Sequence, residues 1–149
     1  MSQAASSAAA SPEALLHMGR DVLARQPFSV LIGAELAVLA PGHCELQVPI
    51  TDRVKQQNGF VHGGVVSYAA DNALTYAGGS ALGAAVVTSE FKINYVRPAV
   101  GERLIARAHV EHAGRTQAVC RCEVFVLDRG VEKLCALAQG TIAALPKND

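Results

Sequence analysis

One stretch of this 149-residue chain constrains its fold more than any other, because it is small and apolar on nearly every side. It runs from Gly63 to Tyr76 without a proline. Its main apolar residues are Val65, Val66, Ala69, Ala70, Ala73 and Leu74. A helix that is hydrophobic all round is typical of a buried element. The sequence therefore predicts a central helix from Gly63 to about Tyr76 that other elements must cover.

The remainder of the chain supplies strands that can cover this helix. Segments 84–95, 103–112, 117–127 and 133–144 are predicted strands, and the middle two alternate apolar and polar residues, which indicates one buried face. A Pro41-Gly42 turn between two apolar runs predicts an earlier hairpin. We therefore predict the α+β class, with an antiparallel sheet wrapped around the central helix.

An N-terminal helix is predicted to begin after Ser11, which can cap it, with Pro12 in its first turn and Glu13 near its positive end. It should continue to about Arg25. Residues 1–10 are rich in Ala and Ser and lack the basic start and apolar block of a secretory signal. We expect residues 1–10 to form a disordered tail and residues 11–149 to form a single domain.

Charge and cysteine content exclude several functional classes. Thirteen basic and 13 acidic residues cancel, and no dense Lys/Arg cluster is present, which argues against general nucleic-acid binding. No run of about twenty apolar residues exists that could span a membrane. The four cysteines form no C-x-x-C pair, so we expect free thiols and a cytoplasmic location. His109 and His112 should point to opposite faces of a strand, and no metal site is expected.

Asp71 is the only formally charged residue between Lys55 and Glu90, and it lies within the predicted central helix. Burying an ionised carboxylate without partners is costly, so the carboxylate must be either satisfied or used. Two interpretations are open. In the structural one, strand backbone or a solvated gap satisfies Asp71. In the functional one, Asp71 serves as a nucleophile or general base.

The start of the same helix, His62-Gly63-Gly64, is suited to holding a polarised carbonyl. Glycines let a ligand approach the backbone, and the first N–H groups of a helix favour an anion or a developing oxyanion. Tight helix-to-sheet packing is the alternative explanation for the glycine pair. His62 is either a general base or a hydrogen-bonding partner of the loop, and the positive field at a helix start favours the second.

These residues carry a resemblance to a known family. Gln56, the His62-Gly63-Gly64 motif and Asp71 are followed by the strand Thr88-Ser89-Glu90-Phe91-Lys92-Ile93-Asn94-Tyr95-Val96-Arg97-Pro98. From about Pro27 to Ala144 the chain resembles the hotdog-fold thioesterases of the PaaI-like family, the phenylacetate-degradation thioesterases. The resemblance implies an acyl-CoA thioesterase that needs no cofactor beyond the coenzyme A of its substrate.

The resemblance also implies roles for individual residues. Asp71 would be the catalytic carboxylate, and the Gly63 N–H would polarise the thioester carbonyl. The other catalytic candidates are Gln56, His62 and Thr75. The substrate-binding candidates are Asn58, Gly64, Thr88, Ser89, Arg97 and Arg115, and of these Arg97 and Arg115 would meet the phosphates of coenzyme A. Either Gln56 or Asn58 would face the thioester, depending on how the loop is registered.

Helix geometry predicts that the enzyme works as an oligomer. Asp71 follows Gly63 by eight residues, which is roughly 12 Å along one helix at about 1.5 Å per residue. One chain therefore holds Asp71 too far from a carbonyl bound at its own Gly63 N–H. We expect a homodimer, or a homotetramer built as a dimer of dimers, with active sites at the subunit interface. Two alternative functions remain: a hydratase or dehydratase of enoyl or hydroxyacyl thioesters, and a non-catalytic acyl-CoA-binding domain.

Overall fold

The computed structural model describes residues 10–83 and 85–147. The tail predicted for residues 1–10 lies outside the described residues, apart from the exposed Ala10. The helices are α1 (Pro12–Ala24), α2 (Pro27–Ile32) and α3 (Gly63–Leu82), and a short 3-10 helix covers Asp52–Val54. None of the helices in the described part of the chain is both long and apolar enough to cross a membrane.

The N-terminal helix begins as predicted, with the Ser11 side chain accepting a hydrogen bond from the Ala14 N–H. The helix α2 was not predicted. Pro27 ends α1, but it also occupies the first turn of this second, six-residue helix, which stops at Gly33 in the left-handed conformation. Proline at a helix start and glycine just beyond its end are both favourable, so one short apolar run became a helical turn instead of a strand.

Six strands form one sheet. They are β1 (Glu35–Ala40), β2 (His43–Pro49), β3 (Val86–Tyr95), β4 (Arg103–Ala113), β5 (Gln117–Asp128) and β6 (Val131–Ala144). Their order is β1-β2-β4-β5-β6-β3, and every neighbouring pair is antiparallel. The predicted strands and the hairpin at Pro41-Gly42 are confirmed. Both β1 and β3 are edge strands within this sheet.

The helix α3 packs across one face of the sheet and ends at Leu82, six residues beyond the predicted end, with Gly83 as its left-handed C-cap. Its prediction as a helix buried all round is wrong for this chain. One face is buried, and at Gly78 the helix approaches β6 so closely that a Cβ would lie 2.7 Å from Cβ of Ile142. The other face is only partly covered, because a single sheet layer shields one side. It bears the half-buried residues Ser67, Tyr68, Asp71, Asn72, Thr75, Tyr76 and Ser80.

Candidate active site

Asp71 lies on the partly covered face of α3, where strand β3 passes. Its Oδ1 atom accepts a 2.6 Å hydrogen bond from the Thr88 hydroxyl of β3. The Thr75 hydroxyl lies 2.8 Å from the Asp71 carbonyl oxygen and 2.9 Å from Thr88 Oγ1. Thr88 gives its proton to the carboxylate, and the single Thr75 proton is shared between the Asp71 carbonyl oxygen and Thr88 Oγ1. The Thr88 hydroxyl thus orients the carboxylate, rather than the strand backbone that the structural interpretation invoked, and Thr75 contacts Thr88 from the helix side.

A β-bulge makes the contact between Thr88 and Asp71 possible. Thr88 pairs with Ile142 on β6, but Glu90 pairs with Thr141, so Ser89 is one extra residue in β3. The bulge lets Thr88 and Phe91 both face α3, although they are an odd number of residues apart. Ser89 itself is exposed at the bulge. The structure therefore brings Asp71, Thr75 and Thr88 together and places Ser89 beside them along the strand.

The start of α3 offers a free backbone donor. His62 is the N-cap, and its Nδ1 atom accepts a 2.8 Å hydrogen bond from the Gly64 N–H. Across residues 10–83 and 85–147, no group accepts a hydrogen bond from the Gly63 N–H. The Gly64 N–H is therefore occupied, while the Gly63 N–H points out of the helix start and is available to a ligand.

Tyr95, at the end of β3, also contacts the start of α3, and sequence reasoning assigned it no role. Its hydroxyl donates a 3.0 Å hydrogen bond to the Gly63 carbonyl oxygen. Its ring packs beside the same residue, since a Cβ on Gly63 would lie 3.6 Å from the ring carbon Cζ. The contact joins residues 32 positions apart in sequence, so only the strand topology reveals it.

The loop that precedes α3 is tightly folded. Its ends meet through a bridge between Lys55 and Val61, and Gly59 adopts a positive φ of 82°. Gln56 is half-buried, and its side-chain oxygen accepts a hydrogen bond from the Asn58 N–H. The amide nitrogen of Gln56 remains a potential donor, whereas Asn58 is exposed at the loop tip.

The two candidate arginines lie at opposite ends of β3. Arg97 lies two residues beyond the end of that strand, and its backbone N–H donates to the Cys135 carbonyl oxygen. Arg115 lies in the β4–β5 turn, where the Ala144 N–H bonds the Thr116 carbonyl and Ala144 in turn pairs with Val86. The ten residues of β3 span about 30 Å at roughly 3.3 Å per residue. One coenzyme A therefore cannot meet both arginines of the same chain at closely spaced phosphates.

The candidate catalytic groups of one chain are likewise separated. Because α3 is continuous, Asp71 and the Gly63 N–H remain about 12 Å apart along the helix axis. Asp71 with Thr88 forms one half of the candidate site near the start of β3. The Gly63 N–H with Tyr95 forms the other half near its end. Among residues 10–83 and 85–147, no group of three metal-ligating side chains exists.

Comparison with known proteins identifies the family. Residues 58–133 match the thioesterase superfamily, which is just over half of the chain. The chain belongs to the thioesterase superfamily. A solved thioesterase family protein from Silicibacter pomeroyi is 40% identical, covering 88% of this chain and 98% of that one, with a TM-score of 0.82.

Two PaaI structures resemble this thioesterase-superfamily chain. A mutant of the phenylacetic acid degradation protein PaaI from Thermus thermophilus is 30% identical over 80% of this chain and 100% of that one, with a TM-score of 0.70. The Escherichia coli PaaI protein, at 23% identity, shares the fold over 89% of this chain and 96% of that one, with a TM-score of 0.78. The predicted hotdog fold and the PaaI-like resemblance are confirmed, and the protein is a thioester hydrolase.

Proposed function

We propose that this enzyme hydrolyses acyl-CoA or aryl-CoA thioesters to the free acid and coenzyme A, with Asp71 as the catalytic carboxylate. The observation that carries the proposal is the half-buried Asp71 carboxylate, which Thr88 orients from β3. A thioester has little of the resonance stabilisation of an amide. A positioned carboxylate and one strong backbone donor can therefore supply much of the barrier reduction.

The chemistry can follow one of two routes from the same geometry. As a general base, Asp71 removes a proton from water while that water attacks the carbonyl carbon. As a nucleophile, it attacks that carbon directly, and water then hydrolyses the mixed anhydride. In both routes the carbonyl oxygen gains negative charge, which the Gly63 N–H stabilises, and the C–S bond breaks to release the thiolate of coenzyme A.

A complete site requires a second subunit, because one chain holds Asp71 and the Gly63 N–H too far apart. The free edge of β3 supports antiparallel pairing with its copy across a two-fold axis. Such pairing would bring the Thr88 end of one strand toward the Tyr95 end of the other. It would also bring Arg97 of one subunit toward Arg115 of the other subunit. We propose a homodimer, or a homotetramer built as a dimer of dimers, in the cytoplasm.

The role of His62 favours hydrolysis over the hydration of enoyl thioesters. A hydratase of this fold would need its histidine as a proton carrier beside the carboxylate. Here the Nδ1 lone pair of His62 already accepts the Gly64 N–H, as a helix cap does. Thiol release from acetyl-, hexanoyl-, lauroyl-, benzoyl- and phenylacetyl-CoA tests hydrolysis, while loss of the conjugated absorbance of crotonyl-CoA without thiol release would show hydration instead.

The decisive variant is Asp71→Asn, which keeps the side-chain volume and removes the carboxylate. We expect kcat to fall by at least about a hundredfold, the scale expected when a general base or nucleophile is lost. Thr88 can still donate to the Asn oxygen, so circular dichroism and the melting temperature should change little. Near-normal turnover by the folded variant would overturn the proposal.

A further inference from the structure

The peptide unit that joins Gly63 to Gly64 is held at both of its polar atoms by side chains. On one side, the Tyr95 hydroxyl donates to the Gly63 carbonyl oxygen at 3.0 Å. On the other, His62 Nδ1 accepts from the Gly64 N–H at 2.8 Å. A backbone peptide in the first turn of a helix ordinarily leaves its N–H to solvent or to a single cap. Here two side chains from different elements fix the orientation of one peptide plane.

Packing around the two glycines reinforces these hydrogen bonds. A Cβ on Gly64 would lie 2.9 Å from His62 Nδ1, so the imidazole occupies the space that a side chain there would take. The Tyr95 ring lies in ordinary contact with Gly63. The missing side chain of Gly64 therefore makes room for the His62 imidazole, whereas a Cβ at Gly63 would make only ordinary contact with Tyr95.

We propose that His62 and Tyr95 are positioning residues that together aim the Gly63 N–H at the thioester carbonyl, which rests on the function proposed above. The Gly63 N–H belongs to the preceding peptide unit, whose His62 carbonyl oxygen accepts from the Val65 N–H at 2.9 Å. The peptide unit held by His62 and Tyr95 adjoins it at the Gly63 Cα, so both units around this donor are fixed. The His62 contact also removes the Gly64 N–H from competition for the substrate, so Gly63 becomes the sole free donor of the pair. A donor that is already aligned costs no reorganisation when the oxyanion forms.

Strand β3 orients a group in each half of the site. Near its start, Thr88 orients the Asp71 carboxylate, and at its end Tyr95 orients the oxyanion donor. One strand thereby carries both orienting hydroxyls. Any shift of β3 relative to α3 would misalign both halves, and small misplacements of reacting groups reduce rates strongly.

The first test compares two tyrosines whose hydroxyls make the same kind of bond. Tyr95→Phe removes the hydroxyl at Gly63, and Tyr76→Phe removes one that donates to the Gly19 carbonyl of α1 at 2.9 Å. We expect Tyr95→Phe to lower kcat by about threefold to tenfold, the range for one neutral hydrogen bond, with KM changed less than about twofold. Tyr76→Phe should leave kcat unchanged. Equal kcat in all three enzymes, or equal losses in both variants, would overturn the proposal.

The second test separates capping from proton transfer at His62. Asparagine is a favoured N-cap that can accept the Gly64 N–H but cannot act as an acid or base, whereas alanine can do neither. We expect His62→Ala to lower kcat by about tenfold and His62→Asn to restore it to within about threefold of wild type. If both variants lose the same activity, His62 acts by another route and the positioning role fails.

A third measurement does not depend on turnover. Amide hydrogen exchange, followed by NMR on glycine-labelled protein, should show the Gly64 N–H protected and the Gly63 N–H exchanging rapidly in the wild type. His62→Ala should accelerate exchange at Gly64 by about tenfold, while His62→Asn should not. Fast exchange at Gly64 in the wild type would refute the contact. If Asp71→Asn retains activity, the proposed function fails. The exchange pattern still tests the orientation of the Gly63–Gly64 peptide, because it does not depend on catalysis.

Discussion

The Thr88 hydroxyl donates a hydrogen bond to Oδ1 of Asp71, and this contact joins an edge strand to the central helix at the only charged residue of that helix. In the proposed mechanism, the hydroxyl occupies one carboxylate oxygen and leaves the other for water or for the thioester carbon. An isolated carboxylate on a helix can rotate among several conformers. The bond from β3 selects one of them.

Replacing Thr88 tests this relationship. Thr88→Val keeps the shape and removes the donor, so we expect kcat to fall by about tenfold to a hundredfold, in line with hydrogen bonds to charged groups. Thr88→Ser keeps the hydroxyl and should retain most of the activity. Steady-state kinetics with one acyl-CoA would check both variants. Equal activity of the Val and Ser variants would show that Asp71 does not depend on this hydroxyl.

Mixing two inactive variants tests whether the site is shared between subunits. Asp71→Ala removes the carboxylate, and Gly63→Pro removes the N–H at the first position of α3, where proline is tolerated. His62 has φ −57° and ψ 133°, so its backbone is not helical, which suits a residue before proline.

After joint unfolding and refolding, random pairing makes about half of the dimers mixed, and each mixed dimer has one intact site. We therefore expect roughly a quarter of wild-type activity to return. Native mass spectrometry of isotope-labelled subunits would confirm the exchange. Proven exchange without recovered activity would place both groups in one chain's site.

The exposed arginines at the two ends of β3 should affect affinity rather than chemistry. If Arg97 and Arg115 meet the phosphates of coenzyme A, changing either to Ala should raise KM for acyl-CoA by about threefold to tenfold, with kcat unchanged. A short acyl-pantetheine thioester lacks those phosphates and is the matched control substrate. An equal rise in KM for both substrates would contradict phosphate contact.

The four cysteines should be dispensable for catalysis. All are free and buried, and burial raises the thiol pKa to about 11 at Cys120 and Cys135, to about 12 at Cys122, and further still at Cys44. A raised pKa keeps each thiol protonated, and so unreactive, at any pH well below that value. Iodoacetamide at pH 8 without denaturant should therefore leave most activity intact, and a thiol titration should count four groups only after unfolding. Rapid inactivation that substrate prevents would contradict this expectation.

Local patterns in the sequence determined much of this protein. Alternation of apolar and polar residues defined β4 and β5, and Ser11-Pro12 defined the start of α1, because burial period and capping depend on neighbours along the chain. The helix start at Gly63 was equally local. The isolated charge of Asp71 pointed to the site for the same reason, since an unpaired carboxylate in an apolar segment is visible without any fold.

Tertiary structure alone decided how the site is oriented. The bulge at Ser89 shifts the alternation of β3 by one residue, and it depends on pairing with β6. On β6, Gly140 lets the β3 backbone come close, since a Cβ at Gly140 would lie 2.6 Å from the Glu90 carbonyl oxygen. Without that shift, Thr88 could not reach Asp71 while Phe91 remains packed in the core. The contact of Tyr95 with Gly63 likewise joins distant segments. Such contacts follow from strand register and helix placement. All the packed elements determine these together, and no short stretch of sequence encodes them.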